Sequence, residues 1–307
     1  MKRLFSYVGV LISGLAVYVS ASDVLINSPL PWMTLRNDSL MVRLQADTAQ
    51  LPQNQITFSV KHHSPGRASQ LMSNTVTMDD YSGEFLIGML GRAQLGGDQW
   101  LSIEWNVPGT EKNDRLGPVG IADLNLLESK RINKALRVDD DSKLNDVVSF
   151  AKDSTLLEKN DAGVSLAWNT NALFLMIHKS EVSGKELKLG FDPKCGKYAF
   201  LAWADRFISY STETDSVLGT HYRRSYDDEE GLQYQKRVWG ENIEQISNEE
   251  MVFVSIPWDE LGLIPFEERV LGFAVFEYDS NQNLSVSLPQ SAQKQVPGTW
   301  GEFILQK

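Results

Sequence analysis

Trp239 lies in a segment whose residue types suit the recognition of a polar ring. If residues 234–239 form a strand, alternation places Trp239 on the same face as Gln235 and Arg237, while Tyr234 and Lys236 point the other way. A flat aromatic side chain can stack on the face of a ring-shaped ligand, and planar polar side chains beside it can bond the polar groups of that ligand. Trp239 is therefore a candidate ligand-binding residue, with ordinary packing at a sheet edge as the alternative.

Trp203 has a similar but more mixed setting. In an extended segment it shares a face with Leu201 and with Asp205, and Arg206 follows directly. We take Trp203 as the second candidate for stacking, and we take Arg206, Arg237 and Asp205 as candidate polar contacts. The segment 221–226 is predicted to be a surface loop that could cap such a site.

Motifs for catalysis are missing from the sequence. The chain has no nucleophile elbow, no zinc-protease motif, no phosphate-binding loop and no haem attachment motif, and it has only four histidines. No catalytic residue is assigned. Two alternatives stay open: a glycoside-processing enzyme that uses a carboxylate pair between two domains, and a redox sandwich that binds b-type haem through Met176, His178 or Lys179.

Two acidic runs are the obvious places to look for a metal site. Residues 139–141 are three consecutive aspartates, and residues 227–230 are four consecutive acidic residues. Neither run has the alternating oxygen spacing of an EF-hand loop. Both are predicted to be exposed acidic turns, and the spacing assigns no metal to either.

Composition limits the class of protein. The chain has 307 residues, of which 42% are hydrophobic and 22% charged, and 29 Lys plus Arg against 40 Asp plus Glu give a formal charge of −11. These proportions are typical of a folded globular protein. So acidic a chain without a long basic run argues against nucleic acid and anionic membranes as partners.

The first 21 residues have the pattern of a cleaved signal peptide. A positive start at Lys2 and Arg3 is followed by an apolar run over 4–19 and by small residues over 19–21. The sequence predicts export to the periplasm or the medium, with no membrane attachment after cleavage. Cys195 is the single cysteine, so no internal disulfide can form and no lipoprotein cysteine stands near the cut.

Short alternating strands dominate residues 25–107. Leu40, Val42 and Leu44 alternate with polar residues, as do Ile56 and its neighbours. This pattern predicts a small immunoglobulin-like β-sandwich over 22–110. Trp105 is expected in its core, with Trp100 on the opposite, polar face of the last strand.

A polar, turn-rich stretch over 108–118 is taken as the boundary to a second unit, 111–307. There a second run of strands predicts a larger β-sandwich, with a short helix over 143–151. The predicted fold is thus all-β, with two sandwiches in series. The predicted strands are 163–168, 172–178, 186–191, 198–203, 207–212, 232–239, 251–256, 271–278 and 302–305.

Several segments in this second unit are similar in order and spacing to the family 9 carbohydrate-binding modules, over roughly residues 130–307. The segments that carry the resemblance are 143–146, 163–175, 255–262, 271–275 and 297–303. The resemblance implies a β-sandwich that binds a polysaccharide or oligosaccharide, often with structural calcium, and performs no chemistry itself. On that reading the candidate carbohydrate-binding residues are Trp239, Trp203, Arg237, Arg206 and Asp205. The matching tryptophans, Trp168, Trp258 and Trp300, are predicted to be scaffold residues.

Overall fold

The computed structural model describes residues 24–35, 39–90, 96–121, 131–153, 157–196, 198–227 and 231–307. The regular secondary structure of these residues is nearly all β, since it comprises twenty strands, one α-helix and four short 3-10 helices, so the all-β prediction is confirmed. The predicted signal peptide, 1–21, lies outside the described residues. Among the described residues, no helix has both the length and the apolar character needed to span a membrane.

The N-terminal half is a two-layer sandwich. A three-stranded sheet in the order β1-β3-β6 faces a five-stranded sheet in the order β2-β8-β7-β4-β5. One hydrophobic core lies between them, and it contains Trp105 as predicted. The immunoglobulin-like topology itself stays a prediction. The strands are β1 (Val24–Ser28), β2 (Thr34–Leu35), β3 (Ser39–Ala46), β4 (Gln55–Ser64), β5 (Arg67–Thr77), β6 (Ser82–Met89), β7 (Trp100–Asn106) and β8 (Asn113–Ile121).

Strand β8 occupies the stretch that the sequence suggested as a linker. It pairs antiparallel with β7, so the boundary placed at residue 110 falls inside the β7–β8 hairpin and the N-terminal sheet continues to Ile121. Gly117 and Pro118 fit within the strand because the β7–β8 register shifts beside them, between Leu101 and Ile103. Proline is tolerated in a strand at such irregularities.

The C-terminal half is built on one twelve-stranded sheet. Its order is β15-β14-β13-β12-β18-β20-β9-β10-β11-β17-β16, and β19 pairs with β18 beside this path. The strands are β9 (Arg131–Arg137), β10 (Val164–Trp168), β11 (Ala172–His178), β12 (Glu186–Asp192), β13 (Arg206–Ser211), β14 (Ser216–Asp227), β15 (Gly231–Val238), β16 (Glu244–Ser247), β17 (Met251–Pro257), β18 (Val270–Tyr278), β19 (Leu284–Leu288) and β20 (Gly301–Leu305), and the helix is α1 (Leu144–Asp153).

The sheet encloses its own core. Buried side chains of β10, β11 and β17 pack with those of β12, β18 and β20 in one cluster, which contains Trp168 and Trp258. Helix α1 covers the other face of β11 and β17, and Trp300 packs on the other face of β13 and β18. Trp168, Trp258 and Trp300 are each at most 3% exposed, which confirms their predicted scaffold role.

Most of the predicted strands are confirmed to within two residues at either end, but two segments differ in kind. The predicted strand 198–203 is wrong, because the described residues there form turns and irregular backbone. The predicted loop 221–226 is also wrong, since these residues lie within β14 and pair with β15.

Aromatic side chains join the two halves. Trp100 lies on the face predicted for it but is only 5% exposed. It stacks on His63, with 3.8 Å between ring centroids, and meets Tyr226 edge-on at 5.1 Å. Backbone also approaches closely here: Gly97 N donates to Ala199 O at 2.9 Å. A Cβ atom on the preceding residue, Gly96, would lie 2.2 Å from that oxygen, so only glycine fits.

His63 should make this junction sensitive to acid. Burial, followed by the nearby charge of Arg115, lowers the pKa of His63 to about 4. As the pH falls below about 6.5, His63 takes up a proton in the unfolded chain but not in the folded chain. The free energy of unfolding therefore decreases until the pH reaches the pKa of His63 in the folded state. We expect the unfolding temperature to drop between pH 7.5 and 4.5, and to drop less in His63→Asn. Equal decreases in both proteins, measured by thermal denaturation, would contradict this account.

Candidate functional site

The two candidate tryptophans come together at the β15 end of the large sheet. Trp203 lies in the turn before β13, and Trp239 directly follows β15. Arg206 begins β13, and His221 and Arg237 are paired across β14 and β15. We call these five residues the tryptophan site. Alternation along the strands puts Arg206, His221 and Arg237 on the face that also carries the enclosed core.

Arg206 connects the two tryptophans. Its guanidinium carbon lies 5.8 Å from the ring centroid of Trp203 and 5.4 Å from that of Trp239. Nη1 donates to the Trp203 carbonyl at 2.6 Å, and Nε donates to the Glu260 carbonyl at 3.4 Å. A guanidinium near two indole rings gains cation–π attraction at each. Arg206 therefore fixes the position of Trp203 relative to Trp239.

Trp203 is 69% exposed, although it is the largest kind of apolar side chain. Its backbone is nonetheless held in place, because the Trp203 carbonyl accepts a hydrogen bond from Arg206 Nη1. An indole ring that faces solvent on a fixed backbone is available for stacking with a ligand.

Trp239 is partly buried. It packs against the edge of the enclosed core together with Ile243, and its Nε1 is buried without a hydrogen-bond partner among the described residues. Nδ1 of His221 is likewise buried without a hydrogen-bond partner among the described residues. Unpaired buried polar atoms cost about 1–3 kcal/mol each and are uncommon in folded proteins. Two of them within one small cluster mark this end of the sheet as costly to fold.

Asp205 is placed beneath the surface. It is 1% exposed, and its Oδ2 accepts from Ala202 N at 2.6 Å, which closes the turn that carries Trp203. Its Oδ1 is buried without a partner among the described residues. The predicted contact of Asp205 with a sugar stays a prediction; the geometry shows a residue that holds the Trp203 turn.

Replacing Asp205 with asparagine should stabilise the protein at neutral pH. Burial, and then the charge of Asp192, raises the pKa of Asp205 well above its ordinary value. A raised carboxyl pKa means that the folded chain retains a proton, so stability is lost as the pH rises above about 3.9 toward the folded pKa. The asparagine side chain keeps an oxygen for Ala202 N without that loss. Thermal denaturation should show a higher midpoint for Asp205→Asn at pH 8, and a smaller difference at pH 4.

The structure adds two polar residues that sequence reasoning did not single out. Glu260 and Asn242 lie in the loops after β17 and β15, and Oε1 of Glu260 accepts from Asn242 Nδ2 at 2.8 Å and from Asn242 N at 3.2 Å. Through its carbonyl, Glu260 also meets Arg206. The exposed Arg237 side chain bonds Gln235 at 2.7 Å. Arg206 thus links the two rings to the loop that carries Glu260, and through Glu260 to Asn242.

Some of the residues considered for metal and haem make contacts within the fold. Asp140 pairs with Arg137 at 3.1 Å, and the side chains of the run 227–230 lie outside the description. Within the described ranges, no group of three or more His, Cys, Asp or Glu side chains could hold a metal. Met176 is buried, His178 Nε2 lies 3.3 Å from Ser165 Oγ, and Lys179 pairs with Asp215 at 2.9 Å.

Comparison with known proteins finds similar chains among the solved structures. No known family model matches the sequence, and no curated protein matches it. Among solved structures, the chain is similar to a family 9 carbohydrate-binding module from Caldicellulosiruptor kristjanssonii in complex with cellotriose, with a TM-score of 0.33, 15% identity, and coverage of 58% of this chain and 94% of that chain. The glucose complex of a family 9 module from the same organism gives a TM-score of 0.33, 15% identity, and coverage of 58% and 96%.

Proposed function

We propose that the protein is an exported, non-catalytic carbohydrate-binding protein, whose tryptophan site engages a polysaccharide or oligosaccharide. The observation that carries the proposal is the fixed and exposed ring of Trp203, joined through Arg206 to the ring of Trp239. Exposure of so large an apolar surface to water is unfavourable, and a sugar ring that stacks on the indole removes part of that surface from water.

The polar groups around the rings support a hydroxylated ligand. Arg237 and Asn242 are exposed donors, and the carboxylate of Glu260 is an acceptor beside Asn242. Hydrogen bonds to charged groups are stronger and more directional than bonds between neutral groups, so such side chains select among sugar hydroxyls. Stacking orients the ring, and these groups choose which ring is bound.

Direct binding by the full-length chain tests the proposal. Cellotriose and glucose, the sugars in the two similar module structures, are the first probes, and affinity gels cast with plant, algal and microbial polysaccharides extend the range. We expect a saturable change in tryptophan fluorescence with at least one sugar and retardation on at least one gel. No response to any of them would overturn the proposed function.

Two further measurements test the proposed absence of catalysis and the proposed export. Incubation with a polysaccharide that binds should release no reducing ends; release would identify a glycoside-processing enzyme and overturn the non-catalytic assignment. Protein recovered from outside the cytoplasm should begin after residue 21, because a cleaved signal peptide is proposed. Recovery of the intact chain only in the cytoplasm would overturn export.

A further inference from the structure

The face of the large sheet opposite the tryptophan site carries a second cluster of polar side chains. Because residues alternate, Lys236 of β15 points away from Arg237, and Tyr222 of β14 points away from His221. Lys188 and Ser209 lie opposite each other on β12 and β13 of this same face. We call this surface the lysine face; its residues are Glu186, Lys188, Ser209, Thr220, Tyr222, Lys236, Tyr278 and Lys294.

Positive charge exceeds negative charge within this cluster. Lys188 is only 8% exposed and is paired, since its Nζ lies 2.8 Å from Glu186 Oε2 and 4.6 Å from the Tyr278 ring centroid. Lys294 reaches over the Tyr222 ring at 5.2 Å, and Lys236 is the direct strand neighbour of Tyr222. Glu186 offsets one ammonium group of the three, so the cluster carries a surplus of two positive charges.

Lys294 is held in an unfavourable setting. Burial lowers the pKa of Lys294; the charge of Glu186 acts in the opposite direction, and that of Lys236 lowers it further. Lys236 is exposed and, like Lys294, lies beside Tyr222, so an anion that approaches both ammonium groups reduces the repulsion between them.

Uncommitted hydroxyl groups lie on the same face. Oγ of Ser209 and Oγ1 of Thr220 are buried and have no hydrogen-bond partner among the described residues, and the two residues are 7% and 0% exposed. A ligand on the surface does not reach these two buried oxygens, so its direct contacts on this face come from the lysines.

Apolar surface continues from the lysines along the sheet. Leu218 pairs with Ser209, and Val238 pairs with Thr220, so both lie on this face, and they are 44% and 68% exposed. An inorganic ion would use the charges alone. A charged sugar would also cover the apolar side chains with the C–H surface of its ring.

We propose that the lysine face binds the carboxylate or sulfate group of an acidic polysaccharide, with Lys236 and Lys294 as the direct charge contacts. The net charge of −11 repels such polymers from the protein as a whole. Retention on them therefore has to come from a local cluster, and the lysine face supplies one.

Affinity electrophoresis in dextran, dextran sulfate and polygalacturonate tests this proposal with the full-length chain. We expect dextran sulfate or polygalacturonate to retard the protein more than neutral dextran does. The double substitution Lys236→Gln with Lys294→Gln should weaken that retardation at least tenfold, and Lys236→Gln alone should weaken it measurably. Added salt should reduce it, because the contact is ionic.

Control variants separate this surface from the tryptophan site. Lys194 is exposed, so Lys194→Gln removes the same charge elsewhere and should leave retardation unchanged. Trp203→Ala should also leave this retardation unchanged, even though it weakens the binding of neutral sugars. Three results would each overturn the proposal: no retardation by either acidic polymer, equal retardation by dextran, or retardation that survives the double substitution in a folded protein.

Discussion

Trp203→Ala should lose about tenfold in sugar affinity while it keeps its stability. Aromatic stacking contributes about 0.5–1.5 kcal/mol beyond buried area, and 1.4 kcal/mol corresponds to about a tenfold change in affinity. The side chain is 69% exposed, so little folding energy depends on it. Fluorescence titration or gel retardation gives the affinity, and thermal denaturation gives the stability of the same samples.

Tyr81 provides a matched control. It is 64% exposed in the N-terminal half, so Tyr81→Ala removes a similarly exposed aromatic ring without touching the tryptophan site. We expect unchanged sugar affinity in that variant. Equal affinities for wild type and Trp203→Ala would contradict the placement of the ligand on this ring.

In contrast to Trp203→Ala, Trp258→Ala should destabilise the fold by about 3–5 kcal/mol, which is the usual cost of truncating a large aromatic side chain in a core. Trp258 is 3% exposed, and its Nε1 donates to the Asn169 carbonyl at 2.7 Å inside the enclosed core. The unfolding midpoint in denaturant reports the loss.

A conservative variant gives an intermediate case. Trp258→Phe keeps an aromatic ring in the core but loses the N–H and part of the indole volume, so it should destabilise the fold less than the alanine substitution does. If Trp258→Ala unfolds at the wild-type midpoint, the assignment of this tryptophan to the scaffold is wrong.

Much of the fold could be predicted because burial acts residue by residue along a strand. Strand β11 was predicted at its observed bounds, since Ala172–His178 is an apolar run that begins after a tight turn. Trp168 and Trp258 were assigned to the core because each continues the apolar face of its strand. These features depend on local alternation, which the sequence carries directly.

The errors arise where burial comes from a distant part of the chain. Residues 198–203 were predicted as a strand because they are apolar, but Ala199 and Phe200 are buried by packing at the junction with Trp100 and Trp32 rather than in a sheet. The segment 221–226 was predicted as a loop because it is polar on both faces. It is a strand whose two faces carry the tryptophan site and the lysine face.

The candidate site was partly accessible from sequence. Trp203, Arg206 and Trp239 were selected separately for their polar settings. In the structure, the ring centroids of both tryptophans lie within 6 Å of the guanidinium carbon of Arg206. Glu260 and Asn242 could not be found in this way, because the loops that carry them meet only after β13, β15 and β17 have taken their places in the sheet.

The β14–β15 hairpin has a consequence for how the protein would act on a polymer network. Lys236 and Arg237 are consecutive residues of β15, so their side chains lie on opposite faces of the sheet. A single polysaccharide strand cannot lie against both sides at once, so two occupied surfaces mean two separate strands. The protein would then act as a crosslinker, and its retention in a mixed gel would exceed that on either polymer because the second attachment is intramolecular.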